Sequence, residues 1–448
     1  MSNRRLVRLA GMAACALGLL IAAGSQTILG GGHWSAPTWV GTAAAQTGPG
    51  VGKPVARPKL MGNGERLVEA DANGHPKGIK VALPAKFQAL LDSYAIPGGD
   101  IMPASALCDP FPEFNGIAID SKAGIAVLSD TNLKSVLIYS LAVPAPPDDS
   151  NLTQYLGWVK GPNTFLSFAA GVAVDPVRHE FYTTENDVGD DVAGFPYSAN
   201  GNFHSRVLAV PHGSYGIALS QRYKQMAVSI QHNAEIIFYR LQAHGAERPL
   251  RSIRGPHTGL ADPHGVVWDD AHGEIFVSNY GNWNQGYWDA DYSGGGKYFP
   301  PSIRIFKDDS KGDAAPIRVI QGPKTELNWP TGIAVDPVHN ELFVANEAAN
   351  QILVFARDAD GDAVPLRVLG GPRTGIRYPM GVAYDASHDQ LWVANFGHTA
   401  VVFGRADEGD APPRRVIRNA PEGTPSAGFG NPMALAYDSK RDQLLVPN

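Results

Sequence analysis

An all-β fold built from one repeated unit is what this sequence predicts, and three observations carry the expectation. A phrase of the form Gly-Ile-Ala-Val-Asp, a polar turn, then Leu-Phe-Val-Ala-Asn recurs along the chain, most clearly from Gly332 to Asn346. Related copies start at Gly116, Gly171, Gly216, Gly265 and Gly381, spaced 45 to 67 residues apart, and a fixed self-similarity of this kind marks a repeat architecture. The composition agrees: 50 Gly and 35 Pro beside 44% hydrophobic residues suit many short strands joined by tight turns. Third, a half-copy runs from Met433 to Asn448, and Leu67 to Ala82 aligns with the missing half, represented in a complete copy by Val354 to Leu369. Four antiparallel strands per copy, stacked radially, make a β-propeller. The split last copy predicts seven blades, the seventh closed by N-terminal strands in a two-plus-two arrangement.

The elements follow in order. Residues 1–25 read as an export signal, because Arg4, Arg5 and Arg8 precede an apolar run from Leu9 to Ala23 with small residues after it. The signal ends after Ser25 or, alternatively, after Ala45, and a retained anchor helix is the rival reading. Residues 26–60, rich in Gly, Pro and Ala, are predicted to be a flexible linker. Residues 61–448 form the propeller, with a closing hairpin over 61–84, a linker with a short helix (Ala85 to Ala95) over 85–115, and blades over 116–448. In the copy that defines the pattern, Ile333 to Val335, Leu342 to Ala345, Ile352 to Phe355 and Leu366 to Leu369 are the strands. Cys15 lies in the signal, so the mature chain keeps only Cys108 and no internal disulfide, and Cys108 reads as a packed small side chain. Export implies a periplasmic or secreted protein, here a monomer whose mature chain does not insert in a membrane. A net charge of -6 without a basic stripe argues against nucleic acid.

Chemistry is sought where copies depart from one another. In such blades the link into strand one and the link from strand two to strand three share the face around the central channel. Glu185, Asp187, Tyr215, His232 and His264 therefore fall in one sector of that mouth. Carboxylates with imidazoles there hold a divalent cation or move protons, with Glu185 and Asp187 the metal candidates. Against this stands the reading that Asn and Asp cap tight turns and that the histidines are ordinary surface groups. Further ligand-binding candidates on the face are Asn279, Asn346, Asn395 and His398. The segment Asn279 to Ser302 is an insertion in the fourth copy, carrying Tyr280, Trp283, Tyr287 and Trp288 with Asp289 and Asp291. Its aromatic rings suit stacking on a carbohydrate or gripping a peptide, although a long loop also packs on itself. His272, His339 and His388 share a turn on the opposite face, too far apart for one metal. Asp358 to Asp362 looks like a calcium loop but lacks the later Glu.

The repeated phrases resemble those of NHL-repeat proteins, bacterial exported ones in particular, with YVTN-type propellers a close second. The resemblance covers about residues 61–448 and rests on Gly-Ile-Ala-Val-Asp, Leu-Phe-Val-Ala-Asn and Ile-Leu-Val-Phe. It implies the fold and leaves open whether the protein is an enzyme. The lactonases of the group imply calcium at the channel mouth, for which Asn279, Asn346 or Asn395 would supply an amide oxygen and Glu185 or Glu347 a carboxylate. The amidating-lyase relatives imply a histidine zinc site, onto which only His264 and His232 map. No cofactor is fixed, and Ca2+ is the ion left open. Two functions remain. The first is an exported binding or scaffolding module that takes a protein, peptide or carbohydrate through its channel face and aromatic loop. The alternative is a divalent-metal-dependent, lactonase-like hydrolase or lyase at the mouth.

Overall fold

Among the described residues, six four-stranded antiparallel sheets follow one another along the chain, each in the order of its strands. The computed structural model describes residues 111–144, 146, 152–281, 283–284, 297–422, 424, 436–438 and 443–445. The expected export signal, linker, closing hairpin, short helix and Cys108 lie outside these residues, as do Tyr287 and Trp288. Blades 1 to 6 span residues 114–160, 169–209, 214–254, 263–320, 330–370 and 379–418. Among the described residues no helix is long and apolar enough to cross a membrane.

Each blade is apolar on both faces because each is packed on two neighbours. In blade 5 the second strand, Glu341–Asn346, is buried throughout. Its side chains alternate between two cores. Leu342 and Val344 join Phe276, Ile303 and Ile305 of blade 4, while Phe343 and Ala345 join Val382, Leu391 and Val393 of blade 6. A strand with period-two side chains and no solvent face reads as a continuous apolar run, which is why Leu-Phe-Val-Ala recurs.

The polar positions of the repeat tie the turns. Asp336 Oδ1 accepts the backbone N–H groups of Val338 at 2.9 Å and His339 at 3.2 Å, closing the turn between the first two strands. Asp120, Asp175, Asp269 and Asp385 do the same in their blades. An Arg on strand four meets a Glu that opens strand two: Arg318 with Glu274 at 2.7 Å and Arg367 with Glu341 at 2.7 Å. Arg357 and Arg405, from the next blades round, add second bridges to the same two carboxylates.

The ring closes on a glycine. Strand one of every blade carries a register slip near its glycine, a β-bulge that brings backbone against backbone at the channel. A Cβ on Gly116 would stand 2.5 Å from the carbonyl oxygen of Ala170 in blade 2, too close for any side chain. The same holds from Gly171 to Tyr215 at 2.2 Å, Gly216 to His264 at 2.2 Å, Gly265 to Thr331 at 2.4 Å and Gly332 to Met380 at 2.7 Å. Gly381 of blade 6 completes the circuit at 2.8 Å from the carbonyl oxygen of Asn115 in blade 1.

This overturns the expected seven blades and their two-plus-two closure. Blade 6 packs directly on blade 1 through Trp392, Val402 and Ile417 against Phe114, Leu128 and Tyr139. Arg415 Nη1 donates to the carbonyls of Leu141 and Val143 at 2.6 and 3.0 Å, and Thr153 N donates to the Arg418 carbonyl at 2.9 Å. No sheet is shared between the two ends of the chain among the described residues. The half-copy at the C-terminus does form strands, Ala436–Asp438 paired with Gln443–Leu445, but as a two-stranded sheet. The sequence misleads because a strand pair carries the same local pattern whether or not it belongs to the ring.

The first strands of the six blades enclose a channel of about 390 Å³, lined by residues 115–119, 170–174, 215–219, 265–268, 332–335 and 380–384.

Candidate metal centre at the channel mouth

Three links converge where blades 2 and 3 meet. Strand two of blade 2 ends at Glu185 and strand three begins at Asp191, and the link between them turns sharply at Asp187 (φ 52°). Asp tolerates that left-handed backbone better than most residues. The link from blade 2 to blade 3 supplies His212, followed by Gly213 at φ 82°. A Cβ there would lie 2.8 Å from His232 Nδ1, so only glycine lets His232, on the second turn of blade 3, come this close.

Asp187, His212 and His232 bring one ligand atom each within 4.8 Å of one another. The two imidazole centroids are 4.9 Å apart, tilted by 41°. His232 Nε2 lies 3.7 Å from Asp187 Oδ1, and His212 Nδ1 lies 2.9 Å from Asp190 Oδ1. A proton on Nδ1 held by Asp190 leaves Nε2 with its lone pair, the arrangement by which carboxylates orient metal-binding histidines. The side chains of His212 and His232 are 52% and 45% exposed, so a small ligand reaches the cluster from solvent. As a bare surface ion pair, Asp187 with His232 contributes only about 0–1 kcal/mol, so stability alone does not account for the grouping.

Of the residues singled out from the sequence, the structure brings Asp187 and His232 together and adds His212. His212 escaped notice because it stands two residues before strand one, outside the position compared between copies. Glu185 is turned away into the blade. Its Oε2 accepts Ser167 N at 2.6 Å and Phe168 N at 3.0 Å, and its Oε1 accepts Thr183 Oγ1 at 3.0 Å. Burial pushes this carboxyl up to about 8, with the charge of Asp191 adding to the effect.

Asn279, Asn346 and Asn395 occupy the place of Glu185 in their blades and hold the entering link in the same way. Their Oδ1 atoms accept the backbone N–H groups of Ala261, Asn328 and Arg377 at 3.2, 2.6 and 3.0 Å. Their Nδ2 atoms donate to the carbonyls of Gly259, Glu326 and Gly375 at 2.7, 2.9 and 2.9 Å. His398 sits at the seam of blades 6 and 1, with Nδ1 2.9 Å from the Pro112 carbonyl. Opposite the mouth, His272, His339 and His388 each contact the turn aspartate of their own blade, at 2.8, 2.5 and 2.6 Å.

Tyr215, His264 and Tyr280 form a second group. His264 stacks on Tyr280 with centroids 4.3 Å apart and leans on Tyr215 at 4.4 Å, and Tyr280 stacks in turn on Trp329 at 5.1 Å. Their polar tips join a belt across the mouth. Tyr215 donates to Asn115 Oδ1 at 3.0 Å, Tyr280 donates to Glu347 Oε2 at 2.8 Å, and Gln231 Nε2 lies 2.9 Å from His264 Nε2. Asn186, beside Asp187, donates to Gln231 Oε1 at 2.7 Å. His264 Nδ1 lies 3.0 Å from the Asp262 carbonyl, which places the ring proton on Nδ1. Burial pushes the Glu347 carboxyl up to about 7, and the bond from Tyr280 only partly offsets it. Of the blade-4 insertion, Trp283–Asn284 pairs with Lys297–Tyr298 as a short ribbon.

No protein-family model matches the chain, and no curated protein matches it. Solved structures do. The chain is similar to hydrazine synthase of Kuenenia stuttgartiensis at 12% identity, over 68% of this chain and 99% of that one, with a TM-score of 0.45. It is similar to a chain of a nidogen/laminin complex at 13% identity, over 60% of this chain and 84% of that one, with a TM-score of 0.42. Likenesses of this size carry no argument about chemistry. The site has to speak for itself.

Proposed function

We propose that the protein is a divalent-metal-dependent hydrolase or lyase, with its cation held by Asp187, His212 and His232. The convergence of these three donors within 4.8 Å carries the reading. Two imidazoles and a carboxylate favour zinc or another first-row ion over calcium, which takes about 6–8 oxygen ligands. Three protein ligands also leave a coordination position for water or substrate, as catalytic sites require. A bound ion there supplies a Lewis acid or a water of lowered pKa. The protein's own part is to fix the donors: Asp190 orients His212, Gly213 admits His232, and the Asn186–Gln231–His264 belt holds the link that carries Asp187.

The resemblance to exported NHL-repeat proteins supports a carbonyl substrate such as a lactone or sugar ester. It equally supports a mature chain released after residues 1–25 into the periplasm or medium, with 26–60 a linker. Mass spectrometry of the secreted N-terminus checks the second point. The first is tested by hydrolysis of a lactone and sugar-ester panel with metal-loaded and chelated protein. The expected outcome is activity lost on chelation and lowered about a hundredfold in His212→Ala and His232→Ala, the upper end of the roughly 10–100-fold scale seen when even a metal site's supporting contacts are removed. Turnover that survives chelation and both substitutions sinks the reading. A binding module acting through this face, the first expectation from the sequence, would instead keep full partner binding in both variants.

A further inference from the structure

Blades 5 and 6 carry an unusual pair of side chains on the mouth face. The residue that enters strand one adopts a left-handed backbone in four blades: Gly213 (φ 82°), Asp262 (φ 51°), Trp329 (φ 55°) and Tyr378 (φ 44°). Blades 3 to 6 therefore share positive φ at this position, which blades 1 and 2 lack, and Gly or Asp meets it at least strain. Trp and Tyr are poor choices there, and bulky residues in this region are genuine outliers. Both are also exposed, Trp329 to 41% and Tyr378 to 57%, so burial does not offset the strain. Strain of this kind gathers where a side chain has work to do.

The two rings are held in place. Glu347 N donates to the Trp329 carbonyl at 3.1 Å, and Tyr378 N donates to Asn350 Oδ1 at 2.7 Å. Both backbones are thus pinned to opposite ends of one short helical turn, Glu347–Ala349. Tyr280 covers one face of the Trp329 indole at 5.1 Å. Beside Tyr378 opens a cleft of about 560 Å³, lined by Asn350, Gln351, Pro372, Ile376 and Arg377 among others. That volume falls within the range of about 300–1,000 Å³ usual for small-molecule sites. The Arg377 guanidinium is exposed and makes no ion pair among the described residues, whereas neighbouring Arg373 pairs with Asp410 at 3.1 Å.

We infer that Trp329, Tyr378 and the Arg377 cleft form a binding site for an acidic oligosaccharide. The rings stack on the C–H faces of sugar rings, the amides of Asn350 and Gln351 meet hydroxyl groups, and Arg377 takes a carboxylate. The site belongs to blades 5 and 6, the cation cluster to blades 2 and 3, so each stands or falls alone.

The test is titration of the full-length protein with tetragalacturonate in the presence of chelator, read by calorimetry and tryptophan fluorescence, with maltotetraose as the neutral comparator. Saturable binding of the acidic sugar is expected, weakened about tenfold or more in Arg377→Gln and in Tyr378→Ala, with the neutral sugar weaker by a similar factor. Tyr378→Gly separates fold from function: glycine relieves the left-handed backbone, so the variant should melt no lower than wild type and still lose the sugar. The inference is overturned if the tetramer fails to saturate at millimolar concentration or if Arg377→Gln binds like wild type. It is equally overturned if an acidic peptide competes more strongly than the sugar.

Discussion

Ser229 shows how much of this ring depends on single atoms. Its hydroxyl accepts the N–H of Gly216 at 2.7 Å and donates to the His264 carbonyl of the next blade at 2.6 Å. Ser129 and Ser278 repeat the bridge, and Thr184 makes it to the Tyr215 carbonyl. Blades 5 and 6 place Ala345 and Ala394 at the same position, so the fold tolerates its loss where the register is otherwise secured. Ser229→Ala should therefore cost about 1–2 kcal/mol, measurable by denaturant unfolding. Gly216→Ala should cost more, about 3 kcal/mol or above, because the new Cβ meets backbone rather than a movable side chain. Equal effects would contradict the closure described here. Glu347 adds a pH dependence. Its carboxyl rises from 4.5 to about 7 on folding, so the folded state prefers the protonated form. That contribution is complete below the unfolded value and is lost as pH climbs through about 7. Melting temperature measured from pH 5 to 8 should fall less steeply in Glu347→Gln than in wild type, and identical slopes would contradict the burial of this group. Sequence alone singled out Asp187 and His232 but not His212, whose link carries no repeated signal. The three asparagines recur as turn residues do, and their amides hold the links.

At the scale of elements, the blades were legible because both faces of each strand are buried and the same short apolar run recurs six times. Strand limits drawn from Leu342 to Leu369 fall within one residue of the observed ones, while the first strand, expected from Ile333, begins three residues earlier at Pro330. Blade number was not legible, since it depends on whether the faces of blades 1 and 6 fit each other. That fit lies in Trp392, Tyr139, Arg415 and the Gly381–Asn115 contact, none of which has a local signature. The terminal hairpin is then dispensable to the ring. A chain ending at Thr424 should still unfold in one cooperative step, with its melting temperature lowered by no more than about 2 °C, equivalent to roughly 1 kcal/mol in a ring of this size. Loss of cooperative unfolding would restore a role for that hairpin in closure. The same reasoning explains the cation cluster. Each donor sits on a separate link, and only ring geometry brings blade 2 against blade 3.

For the whole molecule, closure shelters the six strand-one edges around the channel and presents every link between strands two and three on one face. The rigid part is what repeats, and chemistry concentrates where copies differ: the Asp187–His212–His232 cluster on one side, Trp329 and Tyr378 on the other. The ring thus explains both how a carboxylate and two imidazoles from distant stretches of chain meet and why water can reach them. The most direct measurement is a crystal structure of the protein grown with zinc, with diffraction recorded at the zinc absorption edge. A six-bladed ring is expected, with one strong anomalous peak about 2 Å from ligand atoms of Asp187, His212 and His232. A peak elsewhere, or none at these three side chains, would contradict it.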